Sequence, residues 1–204
     1  MNDCPLCGGG VSDGVCEVCG YVSDHVVYGD SRDNSIGDGE DHRKKDLSSA
    51  IITLRSAQLY DRNREDMLST LHQCLSVLHL PVRLEMDTEI TLNEKEKELV
   101  SMAHQLIERC DTGGFITIQR PEIYIRMGNA FYAGDEHHKA LAYYDKVARD
   151  YPRNQDALFN KALTLFSLEK HEKSLHVLDK LLSIDPKLQH AQILKELVKQ
   201  MDMG

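Results

Sequence analysis

Two pairs of cysteines, Cys4-Pro5-Leu6-Cys7 and Cys16-Glu17-Val18-Cys19, stand eight residues apart near the start of a 204-residue chain. Each CxxC wraps one face of a tetrahedral zinc ion, and a hairpin between the pairs brings the second to the opposite face. Gly8, Gly9 and Gly20 follow the second cysteine of each pair, where the backbone must turn its amides toward the sulfurs. Four thiolates leave no coordination position for water, so the expected cofactor is one structural Zn2+ that folds the head and does not react. A redox CxxC stands alone at a helix start within a βαβ pattern, which is absent here. Disulfides need an oxidising compartment. The opening Met1-Asn2-Asp3-Cys4 lacks the basic and apolar regions of a signal peptide, so a cytoplasmic location is expected, or a nuclear one in a eukaryote.

Other reactive side chains are scattered. Cys74 and Cys110 sit in apolar helical surroundings, as small core residues do. His25, His42 and the His137-His138 pair fall in polar stretches and read as solvated. No Ser-His-Asp order, nucleophile elbow, phosphate loop or dinucleotide fingerprint is present, so no enzyme is expected.

The elements that must carry these residues are mostly helical. The short span between the cysteine pairs admits only a tight β-hairpin, with Val11 and Val15 before the second pair; Val22 and Val26 to Tyr28 suit a third strand, closing a ribbon over residues 1–28. Residues 29–46 are rich in Asp, Gly and Ser with no apolar period, and are expected to be a flexible acidic linker. Helical spacing begins near Ser48, with Leu47, Ile51, Leu54 and Gln58. A second run carries Met67, Leu68, Leu71, Leu75 and Leu78, and stops at Leu80-Pro81. A third, 93–109, opens with Asn93 as N-cap and Glu96 at N3, and Gly113-Gly114 closes it.

The motif Cys4-Pro5-x-Cys7-Gly8-Gly9 … Cys16-x-x-Cys19-Gly20-Tyr21-Val22 resembles the zinc ribbon of the transcription initiation factor B family. Lys45-Asp46-Leu47-Ser48-Ser49-Ala50-Ile51 is similar to that family's linker into the polymerase cleft, and Leu54-Arg55-x-x-Gln58 to the arginine-rich helix after it. Residues 47–119 then resemble the start of a cyclin-like repeat. The resemblance implies a ribbon that docks on RNA polymerase or other transcription machinery. The second cyclin repeat, which in that family carries the promoter-reading helix-turn-helix, has no counterpart here.

From Tyr124 onward a period of 34 residues sets in. Tyr124-x-x-Met127-Gly128-x-x-Phe131, Ala140-x-x-x-Tyr144 and Pro152 are followed by Leu158-x-x-Lys161-Ala162-x-x-Leu165, Ser174-x-x-x-Leu178 and Pro186. This is the tetratricopeptide template, giving repeats at 121–154 and 155–188 and a capping helix at 187–202 within a 120–204 body. Gly128, Ala140 and Ala162 let paired helices approach, and the prolines end each second helix. Two repeats and a cap are too few to stand alone, so the helices before them should stack on the first, or the chain dimerise. In resembling arrays the concave face binds a peptide or protein. Here it would present Ile125, Asn129 and Tyr132 from one repeat and Phe159, Leu163 and Phe166 from the next. Asn129 and Asn160 are similar to the asparagines with which chaperone-type repeats clamp a C-terminal carboxylate, although Ile125 stands where their lysine is expected.

Composition narrows the partners. The net charge is −9, with 41% hydrophobic and 28% charged residues and no run apolar enough to cross a bilayer. Residues 1–45 hold nine acids against four bases, 46–120 twelve against eight, and 121–204 twelve of each. The few bases near the head, Arg32, Arg43, Lys44 and Lys45, form no broad patch, so direct DNA binding is not expected. The expected architecture is a mostly α chain, a small β zinc ribbon followed by an all-α body ending in a tetratricopeptide array. The leading expectation is a factor B-like transcription regulator, its ribbon docking on RNA polymerase and its repeats binding a protein partner; the alternative is a zinc-ribbon adaptor or assembly scaffold unrelated to transcription.

Overall fold

The apolar period that opens at Leu47 builds a helix longer than itself. In the computed structural model, which describes residues 11–12, 15–16, 38–59, 64–86, 90–111 and 120–202, helix α1 runs Asp38–Leu59. The stretch expected to be linker up to residue 46 is therefore helical from Asp38. The reason is tertiary. Leu47, Ala50, Ile51, Leu54 and Ala57 are buried and anchor the helix, and Arg43 one turn earlier donates to Glu96 at 2.7 Å. Arg43, Lys44 and Lys45 are good helix formers, so the turn extends without an apolar period of its own.

The chain divides into two compact units, residues 1–38 and 39–204, each described by itself. In the first, β1 (Val11–Ser12) pairs antiparallel with β2 (Val15–Cys16), with Val11 opposite Cys16 and Ser12 opposite Val15. The pairing falls between the two cysteine pairs, where their spacing leads to the expectation of a tight hairpin, and the intervening sequence Asp13-Gly14 is a favoured hairpin pair. The proposed third strand and residues 29–37 of the expected linker lie outside the described residues.

The second unit continues with α2 (Arg64–Ser76) and α3 (Glu94–Asp111), then five helices: α4 (Pro121–Ala133), α5 (His137–Asp150), α6 (Gln155–Ser167), α7 (His171–Ile184) and α8 (Gln189–Asp202). Consecutive helices from α4 to α8 pack pairwise, and α2 and α3 both pack on α4. The segment resembling a cyclin repeat thus extends the repeat stack, which removes the shortage of repeats. Helix α3 begins as its sequence indicates. The Asn93 side chain accepts from the amides of Lys95 and Glu96, while Glu96 accepts from the Asn93 amide at 2.9 Å, a reciprocal capping box. The helix of the second run ends at Ser76, short of Leu80-Pro81. His79 has φ 50°, a left-handed residue that turns the chain away before Pro81 is reached.

The 34-residue period is visible in contacts as well as in helices. Lys161 pairs with Asp145 and Lys195 with Asp179, both at 2.6 Å and 34 residues apart. Asp135 and Glu169, also 34 apart, have φ 58° and 57° in the turns joining the two helices of each repeat. A left-handed side chain costs about 1 kcal/mol or more, against a somewhat smaller entropic penalty for glycine. Glu169→Gly is therefore expected to raise stability by about 0.5 kcal/mol, read as a higher denaturant midpoint with unchanged slope. A lowered midpoint would show that the Glu169 side chain contributes more than its backbone costs.

Helix α8 buries Ala191, Leu194 and Val198 against the last repeat. Its outer face carries Lys195, Glu196, Lys199 and Gln200, as a cap should. It also leaves Ile193, Leu197 and Met201 exposed.

Candidate protein-binding site

The face lined by α4 and α6, the first helices of the two repeats, is covered by the chain itself. Ile125, Asn129, Phe159 and Leu163, expected to greet a partner, are all at most 3% exposed. Over this face passes the connection between α2 and α3, at Leu80-Pro81-Val82-Arg83-Leu84. The sequence gives Leu80-Pro81 as a helix stop; its second role, filling the repeat face, appears only in three dimensions.

Two asparagines, both fully buried, hold this segment by its backbone. The Asn129 Nδ2 donates to the Pro81 carbonyl and, at 3.1 Å, to that of Val82. The Asn160 Nδ2 donates to the Val82 carbonyl at 2.9 Å, and Asn160 Oδ1 accepts from the Leu84 amide at 2.9 Å. Behind them, Asn129 Oδ1 accepts from Tyr144 Oη at 2.6 Å and from Asn160 Nδ2 at 2.9 Å. The network leaves the amide groups of both side chains satisfied, as buried polar groups must be. Arg83 is held separately. Its guanidinium bonds Asp156 at 2.6 and 2.8 Å and lies 5.9 Å from the centre of the Phe159 ring. Leu80 and Leu84 are buried, whereas Pro81 and Val82 face outward.

Tyr132 and Phe166 do something else. Tyr132 packs against His137 with ring centres 4.9 Å apart, and Phe166 against His171 at 5.8 Å, the same contact one repeat on. His137 is accordingly half-buried against an aromatic ring and not a solvated loop residue; His138 is exposed. Tyr132 Oη also lies 3.0 Å from Ser167 Oγ, which ties the two repeats. Sequence reasoning found the two asparagines and missed Arg83, Asp156, Tyr144 and the covering segment. The signal was partial: a proline after an apolar helix reads as an ending, and nothing local tells where an ended chain travels.

Helix α3 meets α4 and α5 through a second polar cluster. Tyr124 donates to Asp111 at 2.7 Å, Lys146 pairs with Asp111 at 2.9 Å, and Tyr143 Oη lies 2.7 Å from His104 Nδ1. Burial pushes the Tyr143 hydroxyl well above its ordinary value, with Asp111, Tyr124 and Glu108 adding to the rise; burial does the same to Tyr144. A raised pKa in the fold means that stability is fully present below the unfolded value, about 10, and falls as pH rises beyond it. These two tyrosines should stay protonated at pH 11 and ionise only as the body unfolds, so their absorbance change near 295 nm should coincide with loss of helix. Ionisation ahead of unfolding would contradict it.

Of the other cysteines, Cys74 is buried, its thiol pushed up to about 12 by desolvation and donating to the Ala50 carbonyl at 3.6 Å. It is a core residue with almost no thiolate at neutral pH. Cys16 ends β2, while Cys4, Cys7 and Cys19 lie outside the described residues. Among the described residues no group of ligating side chains assembles elsewhere, and no helix is long and apolar enough to cross a membrane.

Comparison with known proteins agrees with the repeat geometry. Residues 122–154 and 155–188 each match a family described as the tetratricopeptide repeat. No curated protein matches the chain. A solved structure titled MamA AMB-1 aligns over 80% of this chain and 84% of its own, with a TM-score of 0.44 and 12% identity. At that level the likeness bears on neither partner nor function. Residues 122–188 are tetratricopeptide repeats, an architecture that binds proteins.

Proposed function

We propose that this chain is a protein-binding adaptor, its repeat body taking hold of a partner and its cysteine head supplying a separate zinc-folded contact. One observation carries the reading: the repeat face holds a non-helical stretch of polypeptide through asparagines aimed at its backbone. Such contacts are how a peptide lies along a helical groove when sequence is read by flanking pockets. The four-thiolate head is supported by the spacing of its cysteines and by the tight β1–β2 hairpin between the pairs.

A factor B-like role is the second reading, supported by the motif of residues 4–22. Its linker motif speaks less for it. Leu47, Ala50 and Ile51, the apolar residues of that motif, are buried within α1 and are not free to enter a polymerase cleft. RNA polymerase is therefore ranked below an unrelated protein partner.

Affinity capture with the full chain, Cys16→Ser and Asp156→Lys separates the readings. An adaptor gives partners lost with Asp156→Lys and retained with Cys16→Ser. Capture of RNA polymerase subunits, lost with Cys16→Ser, would favour the transcription role. Partners indifferent to Asp156→Lys would sink the repeat-face reading. Metal analysis of the full chain should return about one zinc, falling in Cys16→Ser.

A further inference from the structure

The segment that covers the repeat face shows what chemistry that face selects. Residues 80–84 meet it in three ways. The asparagines reach the Pro81 and Val82 carbonyls and the Leu84 amide, which fixes the path of the backbone whatever its side chains. Asp156 and the Phe159 ring receive Arg83, which a lysine would satisfy less well because the guanidinium is flat and forked. Leu80 and Leu84 are buried on either side, while Val82, 44% exposed, is read by nothing. The contacts therefore specify apolar-x-x-Arg-apolar.

The segment is also built to leave. Among the described residues, 80–84 form no backbone-to-backbone hydrogen bond, so its place depends on side chains of the repeats. Resting on the adaptor reading, we infer that the face formed by Asn129, Asn160, Asp156 and Phe159 is a binding site for an apolar-x-x-Arg-apolar segment of a partner protein. Residues 80–84 occupy it in cis and are displaced when that segment binds.

A fluorescent synthetic peptide with the sequence of residues 78–86 is the probe, titrated into the full chain. A tethered competitor acts at an effective concentration of about 1 mM, so the unaltered chain should bind the peptide weakly. Arg83→Glu repels its own segment from Asp156 and leaves every residue of the face unchanged. It should bind the peptide at least about tenfold more tightly, the released competition. Adding Asp156→Lys to that variant reverses the site's charge and should abolish the gain. Equal affinity for the unaltered chain and Arg83→Glu, with helix content intact in both, overturns the inference. So does a gain that survives Asp156→Lys. Should Arg83→Glu unfold, hydrogen exchange on the unaltered chain decides: saturating peptide must speed exchange at the Leu84 amide, and no change refutes displacement. If the peptide fails on all counts while captured partners still depend on Asp156, the adaptor reading stands and this inference falls.

Discussion

Replacing Asn129 by aspartate is expected to cost the repeat body about 4 kcal/mol at neutral pH. The exchange is nearly isosteric, so the effect is electrostatic. The Asn129 amide nitrogen faces the carbonyls of Pro81 and Val82, and a carboxylate oxygen there would oppose two acceptors. The site is fully buried, and an unpaired buried charge costs about 3–5 kcal/mol. Tyr144 Oη and Asn160 Nδ2 could still donate to the other oxygen, which tempers the loss. Burial raises the pKa of such a carboxyl, so stability should recover as pH falls and the group gains its proton. Asn129→Ala should cost less, about 2–3 kcal/mol, from buried partners left unpaired, and show no such recovery. Denaturant unfolding at pH 7 and pH 4.5 distinguishes the two. An aspartate variant as stable as the original at pH 7 would mean that the covering segment is not held by this side chain.

Gly128→Ala should be comparably damaging, at about 3 kcal/mol, although alanine is the better helix former. A Cβ on residue 128 would lie within 3 Å of the Tyr144 ring, at 2.7 Å from Cζ. The ring has nowhere to go. Tyr144 is fully buried and its hydroxyl is fixed to Asn129. Relief requires α4 and α5 to separate, and overpacking of this kind costs about 1–3 kcal/mol, occasionally more. Because the displaced ring also carries the hydrogen bond to Asn129, the penalty should reach the repeat face. Hydrogen exchange at the Leu84 amide is expected to quicken in Gly128→Ala. Combining it with Tyr144→Leu should recover part of the loss, a coupling that a double-mutant cycle reads directly. Strict additivity would show that the contact is not the cause.

How much of this was legible beforehand depends on whether the physics was local. The repeats were, because their helices need small residues at fixed offsets and large ones between them, and Gly128, Ala140 and Ala162 stand at those offsets. The capping box at Asn93 and Glu96 was, since its donors and acceptors lie three residues apart. The start of α1 was not. Residues 38–46 have no apolar period, and their helix is held in part by Glu96, 53 residues away from Arg43. Nor was the occupancy of the repeat face, which joins Pro81 to Asn129 and Arg83 to Asp156 across 48 and 73 residues.

The sequence by itself determined two things about this protein. It set a pair of CxxC motifs whose spacing requires a tight turn, and a 34-residue alternation of small and large side chains that can bury itself only by stacking. Both follow from short-range geometry. The tertiary structure decided what the stacked face meets. A left-handed His79 turns the chain away just past the end of α2, but its path is chosen by where buried amides, an aspartate and an aromatic ring can satisfy it. Those groups come from separate helices, and only packing brings them together.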